Sequence, residues 1–376
     1  MARPPPQARR GRSNAQRTRF RRNARRGARI LRGGEVQVSN VATATSTSLV
    51  GAPIEAIYKK GEAVLTREAY GRTLVELGKV NPRIVVLDAD LAESTLTKYF
   101  RDDPATKRRF FETGIAEQNM MNVAAGLSLM GFIPYLSSYA QFLASRSLDQ
   151  LRNTVDYTNC NVRVAAAHGG ISVGQDGPSH QSMEDLSNTC ALVNMTVIVP
   201  CDYYETIKVV RWTADYVGPV YFRMGREKVP ITTSPEDPWA HGKASVIREG
   251  TDGTIIACGY MVHKAERAAD LLAEEGIHPR VLNMSTLKPI DEDAILAAAA
   301  ETGAITTAEE HNVWGGLGSI VARTVVQSDH RVPMRIVGIP NMYLSSGPPE
   351  DMIKIANLTP ENIAAKHKEA VGAAKV

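Results

Sequence analysis

The apolar positions of this chain change their period repeatedly, and each change marks an element. In residues 65–78, LTREAYGRTLVELG, Tyr70, Leu74 and Leu77 fall on one helical face, and Gly78 is placed to end the helix. Asn81-Pro82 reads as a turn. IVVLDAD (84–90) is a nearly unbroken apolar run, the pattern of a strand buried on both faces, and its carboxyl end carries Asp88 and Asp90. A helix or turn follows around 93–100. A short strand ends at Gly114, and a helix rich in small residues begins there. Further strands are predicted near 133–138 and at 162–167, 196–200 and 220–225, with helices at 140–153 and 203–216. Strands alternating with helices predict a mostly parallel sheet covered on both faces.

Residues 230–241, PITTSPEDPWAH, carry three prolines and no period, which marks a domain boundary. A second α/β unit follows. TIIACG (254–259), RVLNM (280–284), AITTAEE (304–310) and RIVGIP (335–340) are its strands. Ala265, Ala268, Ala269 and Leu272 mark one helix; others start at Asp291 and Trp314. The predicted class is therefore α/β, with two doubly wound domains and mostly parallel sheets. Residues 1–57 are read as tail and lead-in, 58–229 as the first domain, 230–241 as linker and 242–376 as the second domain.

Composition changes this picture at one end only. The formal net charge is +4, yet residues 1–34 hold twelve Arg and no Lys, Asp or Glu. Taking those twelve from the 44 basic residues leaves 32 against 40 acidic, a net of −8 for the body. The tail has too few apolar residues to offset its chain entropy and is expected to be disordered; the lead-in, 35–57, is expected to be flexible. A nucleic-acid-binding arm, an organellar transit segment and a segment without a selected role all fit its composition, and the last is preferred. The four cysteines are scattered without a CxxC pair, which fits a reduced, cytoplasmic compartment better than a zinc site or a disulfide framework. No apolar run approaches the roughly 18 to 20 residues that span a bilayer.

Two stretches carry candidate chemistry. In residues 110–131, FFETGIAEQNMMNVAAGLSLMG, Glu117 stands in the first turn of a helix just after a strand, the usual edge of a site in an open α/β sheet. A helix-dipole acid is the plain alternative. Within this helix Ala124, Ala125 and Gly126 offer little bulk, so its backbone can approach a strand closely. Residues 168–180, HGGISVGQDGPSH, follow another strand and place four glycines, two histidines and one aspartate in thirteen residues. So much glycine is unfavourable unless the backbone must approach something closely. Two His flanking an Asp can bind hydroxyls and move protons near neutral pH. Their spacing fits no familiar metal-ligand pattern.

Together, GIAEQNMMNVAAGLSLMG and HGGISVGQDGPSHQSMEDL resemble the pyrimidine-binding domain of transketolases. The resemblance extends from about residue 62 to 371. It implies that Glu117 hydrogen-bonds N1′ of thiamine diphosphate and favours the imino tautomer, so that the cofactor acts as its own base. It further implies that Phe142 and Tyr139 pack on the pyrimidine and that Asp90 lies near the cofactor. His168 and His180 would hold hydroxyls at the reacting end of a ketose, and Asp176 would read the next hydroxyl. Arg67, Ser94 and Arg226 would contact the substrate phosphate as a charge-assisted clamp.

Complete transketolases begin with a domain whose GDG motif holds the diphosphate and a magnesium or calcium ion. No GDG occurs in this sequence. The resemblance thus implies the C-terminal subunit of a split transketolase, needing a separate N-terminal subunit in an α2β2 assembly. The implied reaction moves a two-carbon ketol unit from a ketose phosphate to an aldose phosphate. Deoxyxylulose-phosphate synthase-like and 2-oxoacid dehydrogenase β-like subunits are the enzyme rivals. A non-catalytic interaction protein with a nucleic-acid-binding Arg tail is the rival of another class; the intact Glu117, His168, Asp176 and His180 make nucleic acid the less expected partner.

Overall fold

The computed structural model describes residues 46–374, so the Arg-rich segment 1–34 lies outside the described residues. The strands, in chain order, are β1 Ala63–Leu65, β2 Ile84–Asp88, β3 Phe110–Glu112, β4 Ile133–Tyr139, β5 Arg163–Ala167, β6 Thr196–Ile198, β7 Val220–Arg223 and β8 Lys228–Pro230. The second unit adds β9 Ser245–Arg248, β10 Thr254–Ala257, β11 Arg280–Asn283, β12 Thr286–Lys288, β13 Ile305–Asn312 and β14 Met334–Ile339.

The chain is α/β with mostly parallel sheets. A seven-stranded sheet runs β12-β6-β7-β5-β4-β2-β3, and only the β12–β6 pair is antiparallel. A five-stranded sheet runs β14-β13-β10-β11-β9, with β9 as its one antiparallel edge. The apolar run of β2 is buried at every position, because helices cover both faces. The helix Thr66–Val80 buries Tyr70, Leu74 and Leu77 against the sheet. Removing each such side chain from water stabilises the fold by about 1.5–3 kcal/mol.

Several features depart from the sequence reading. The strand β12, supplied by the second unit, pairs with β6 and extends the first unit's sheet. The helix expected from Trp314 begins at Leu317, where the Glu309 carboxylate accepts the Leu317 and Gly318 amides at 2.6 and 2.8 Å. Gly126 faces outward with nothing near its missing side chain, so Ala124 and Ala125 alone provide the close helix–sheet approach. Residues 46–57 have no regular secondary structure, but they are pinned to the body: Arg211 donates to the Ala52 carbonyl at 2.8 Å, and Leu49 and Ile54 pack on buried clusters.

The segment expected as a helix over 140–153 winds in wide turns, Phe142–Arg146 and Leu151–Asp156, around a short α-helical turn. Ser147 donates to the Phe142 carbonyl five residues back at 3.1 Å. Such widened turns recur at functional sites. Among the described residues no helix is long and apolar enough to cross a membrane.

Candidate active site

The strand β4 organises the site through two adjacent residues. Ser138 donates its hydroxyl to Glu117 Oε1 at 3.0 Å. Tyr139 stacks on His168, with ring centroids 3.9 Å apart and planes 22° from parallel. Glu117 opens the helix Glu117–Leu129 and is fully buried. Its other oxygen, Oε2, accepts from Arg146 Nη1 at 2.9 Å. Arg146, on the first wide turn, also stands over the Phe142 ring at 4.2 Å from the centroid. A buried carboxylate with a hydroxyl and a guanidinium as partners is satisfied, yet keeps lone pairs for a further donor. Those free lone pairs suit a ring that presents an N–H.

On the other side of Tyr139 lies the histidine pair. Phe142 meets His180 edge-on at 5.1 Å and stacks on Tyr139 at 5.9 Å. His180 Nδ1 lies 2.9 Å from the Ser179 hydroxyl. His168 is buried, adopts a left-handed backbone (φ 58°), and its Nδ1 has no hydrogen-bond partner. Burial, reinforced by Arg67, Arg226 and His180, pushes its pKa down to about 2, so the ring is neutral. A buried, neutral, unpartnered imidazole fits the recognition of an uncharged hydroxyl.

Two arginines converge from different parts of the fold. Arg67, buried in the first turn of its helix, donates Nη2 to the Arg226 carbonyl at 2.7 Å and Nη1 to the Ser94 carbonyl. Its Nε has no partner, and burial lowers its pKa to about 10. Arg67 therefore ties together the backbones of the two residues expected to share a phosphate with it. Arg226 forms an ion pair with Asp176 at 3.5 Å and donates to the Val173 carbonyl. Nine of the ten expected residues thus fall into two contacting groups: Glu117, Tyr139, Phe142, His168 and His180, linked with the help of Arg146 and Ser138, and Arg67, Ser94, Asp176 and Arg226. Asp90 is not. It sits exposed on a left-handed turn after β2, held through its amide by Glu112 Oε1 at 2.6 Å. The acid at the strand end that makes side-chain contacts is Asp88, which accepts from Thr95, Thr97 and the Leu91 amide and serves the turn itself.

Sequence reasoning did not single out Arg146, Ser138, Arg223, Asp185 or Glu310. Arg146 stands in the same SYAQFLASRS run as Phe142, four residues on, so a charge beside the aromatic was its one local signal. Among the described residues no group of three or more His, Cys, Asp or Glu is placed to hold a metal ion.

Residues 62–232 match the family model described as transketolase, pyrimidine binding domain, and residues 242–363 that described as transketolase, C-terminal domain. A Methanocaldococcus jannaschii protein described as a putative transketolase C-terminal section is 41% identical over 305 residues, covering 81% of this chain and 95% of that protein. A Phocaeicola vulgatus protein described as a subunit of an apulose-4-phosphate transketolase is 38% identical, covering 82% of this chain and 98% of that one. A solved structure described as a split gene transketolase, inactive beta4 tetramer, matches with a TM-score of 0.75 and 44% identity over 83% of this chain and 99% of that chain. The seven-stranded, mostly parallel sheet that carries the site is thus that of a transketolase pyrimidine-binding domain. The chain belongs to the transketolase family.

Proposed function

We propose that this chain is the C-terminal subunit of a split transketolase. With a separate N-terminal subunit it transfers a two-carbon ketol unit from a ketose phosphate to an aldose phosphate. The observation that carries this reading is the double use of β4: Ser138 serves the Glu117 carboxylate while the next residue, Tyr139, stacks on His168. A cofactor-facing acid and a hydroxyl-facing imidazole therefore flank one strand end.

Thiamine diphosphate, when bound, supplies the nucleophilic carbon that the polypeptide lacks. Glu117 would hold N1′ of its pyrimidine, with Phe142 and Tyr139 against the ring. Ser138 and Arg146 fix the direction of the carboxylate. His168 and His180 bind the donor's hydroxyls, and Asp176 reads the configuration of the next one. Arg226 and Ser94 meet the phosphate, and Arg67 holds their backbones in register. Asp90 approaches the cofactor only in the assembly. By the family pattern, the diphosphate and a magnesium or calcium ion belong mainly to the N-terminal subunit.

An α2β2 assembly is the proposed form. The similar split transketolase known as an inactive tetramer of β chains supports dependence on a partner. So does the apolar surface beside the Glu117 helix, where Ile115, Leu129 and Met130 are exposed. We place the domain division at 230–241, in keeping with the two matched segments. The four free thiols support a cytoplasmic setting.

The test is reconstitution. The pure chain with thiamine diphosphate and magnesium should give no ketol transfer, and adding the N-terminal subunit should start it. Substantial turnover by the pure chain would overturn the split-subunit reading. A donor screen that found 2-oxoacids used and phosphoketoses refused would move the assignment to the synthase or dehydrogenase class.

A further inference from the structure

The glycines of HGG sit against charged side chains rather than an open cleft. A side chain on Gly169 would overlap Arg223, and one on Gly170 would overlap the carboxyl of Glu310. Arg223 ends β7, whereas Glu310 lies on β13, in the other unit. Both are buried. The Glu310 Oε1 atom accepts two successive loop amides, Ile171 at 2.8 Å and Ser172 at 2.6 Å. Its backbone carbonyl accepts from Arg223 Nη2 at 2.7 Å, and Arg223 Nε lies 3.4 Å from buried Asp185.

The same strand also holds the chain just beyond the loop, at two points. Asn312 donates its amide to the Met183 carbonyl at 2.8 Å. His311 Nε2 accepts the Ser187 amide at 3.2 Å. Residues 310–312 thus meet the start of the loop and the segment that follows it, and the two gripped amides lie between His168 and Val173, whose carbonyl receives Arg226.

We infer that Glu310, on the C-terminal domain, is a positioning residue for the substrate loop, setting where His168, Asp176 and Arg226 stand relative to one another. This rests on the function proposed above for that loop. Two loop amides are satisfied by one oxygen of a buried carboxylate, so the loop's path depends on the reach of that side chain. A buried amide left without an acceptor is unfavourable, so the loop moves when the acceptor recedes.

Reach and charge can be separated. Glu310→Asp keeps the charge but withdraws the carboxylate by about 1.5 Å, beyond hydrogen-bond distance. Glu310→Gln loses the charge but keeps an oxygen at Oε1 that accepts both amides. In the full chain alone, hydrogen exchange at the Ile171 and Ser172 amides should quicken at least tenfold in Glu310→Asp and stay near wild type in Glu310→Gln. In the reconstituted complex, Glu310→Asp should raise the donor KM about tenfold or more, with kcat and thiamine diphosphate affinity within about threefold; Glu310→Gln should leave KM within about threefold. Faster exchange or raised KM in the Gln variant equal to that of the Asp variant would overturn the inference, leaving Glu310 as a charge partner only. Unchanged exchange in both variants would overturn it too. If the Asp variant does not fold, the Gln variant decides alone: slow amides support the inference and fast ones contradict it. Exchange in the lone chain needs no turnover, so a failure of the transketolase reading would show as an inactive wild-type complex and remain distinguishable.

Discussion

Arg146 places Nη1 2.9 Å from the buried Oε2 of Glu117 while its guanidinium covers the face of Phe142. One side chain therefore positions both the carboxylate and the aromatic ring expected to meet the cofactor. Its own side chain is 45% exposed, so the pair is screened on one side.

Arg146→Ala should lower the unfolding free energy of the lone chain by about 1–2 kcal/mol, because Glu117 is left with Ser138 alone. Combined with Glu117→Gln, the losses should not add. A double-mutant cycle in urea should give a coupling of about 1 kcal/mol. Strict additivity would mean that the pair does not hold the carboxylate.

The neutral state of His168 has a measurable sign. The unfolded imidazole binds a proton below its ordinary value of about 6.5, whereas the folded one, desolvated and facing Arg67 and Arg226, does so only near 2. Unfolding therefore takes up a proton throughout that window, and stability falls as pH falls. His168→Asn removes the effect. From pH 6 to pH 4, wild type should lose about 1.4 kcal/mol per pH unit relative to the variant. Parallel urea stabilities across that range would show that His168 is protonated in the fold.

Much of this arrangement was legible in the sequence because it is local. The unbroken run of β2 and the Tyr70, Leu74, Leu77 spacing report burial directly, and the loop 168–180 announces itself by glycine density. What stayed hidden was set at long range. Glu310 meets Ile171 across 139 positions of chain, and no period connects them. β12 is only three residues long and pairs with a strand of the other unit, so its apolar signal merges with that of its own unit. The β1–β8 pair is hidden in the same way, each strand being three residues long. The place near the cofactor that the resemblance implies for Asp90 is not readable from this chain's own contacts, since Asp90 stands exposed on the left-handed turn after β2.

Asp176 stands 3.5 Å from Arg226, between the proposed hydroxyl and phosphate sites. Asp176→Ala should weaken discrimination between donors epimeric at the hydroxyl it reads, lowering the kcat/KM ratio about tenfold or more. Equal losses for both epimers would restrict Asp176 to orienting Arg226.

Removing residues 2–34 should leave ketol transfer by the reconstituted complex unchanged and move the isoelectric point to the acidic side, since the remainder carries a net charge of −8. A fall in kcat for a truncated chain that still folds would place the tail in the mechanism. Any nucleic-acid binding by the full chain should weaken steeply with salt.

The central claim is that Glu117 is the acid that activates the cofactor, and hydrogen–deuterium exchange at the thiazolium C2 in the reconstituted complex reads it before any sugar binds. Glu117→Gln keeps the size of the side chain and its contact with Ser138 but cannot share a proton with N1′. Exchange should slow by about a hundredfold or more, the scale of lost proton-transfer catalysis, with cofactor affinity near that of wild type. Exchange at the wild-type rate would contradict the account and leave Glu117 as an acid that does no more than start a helix.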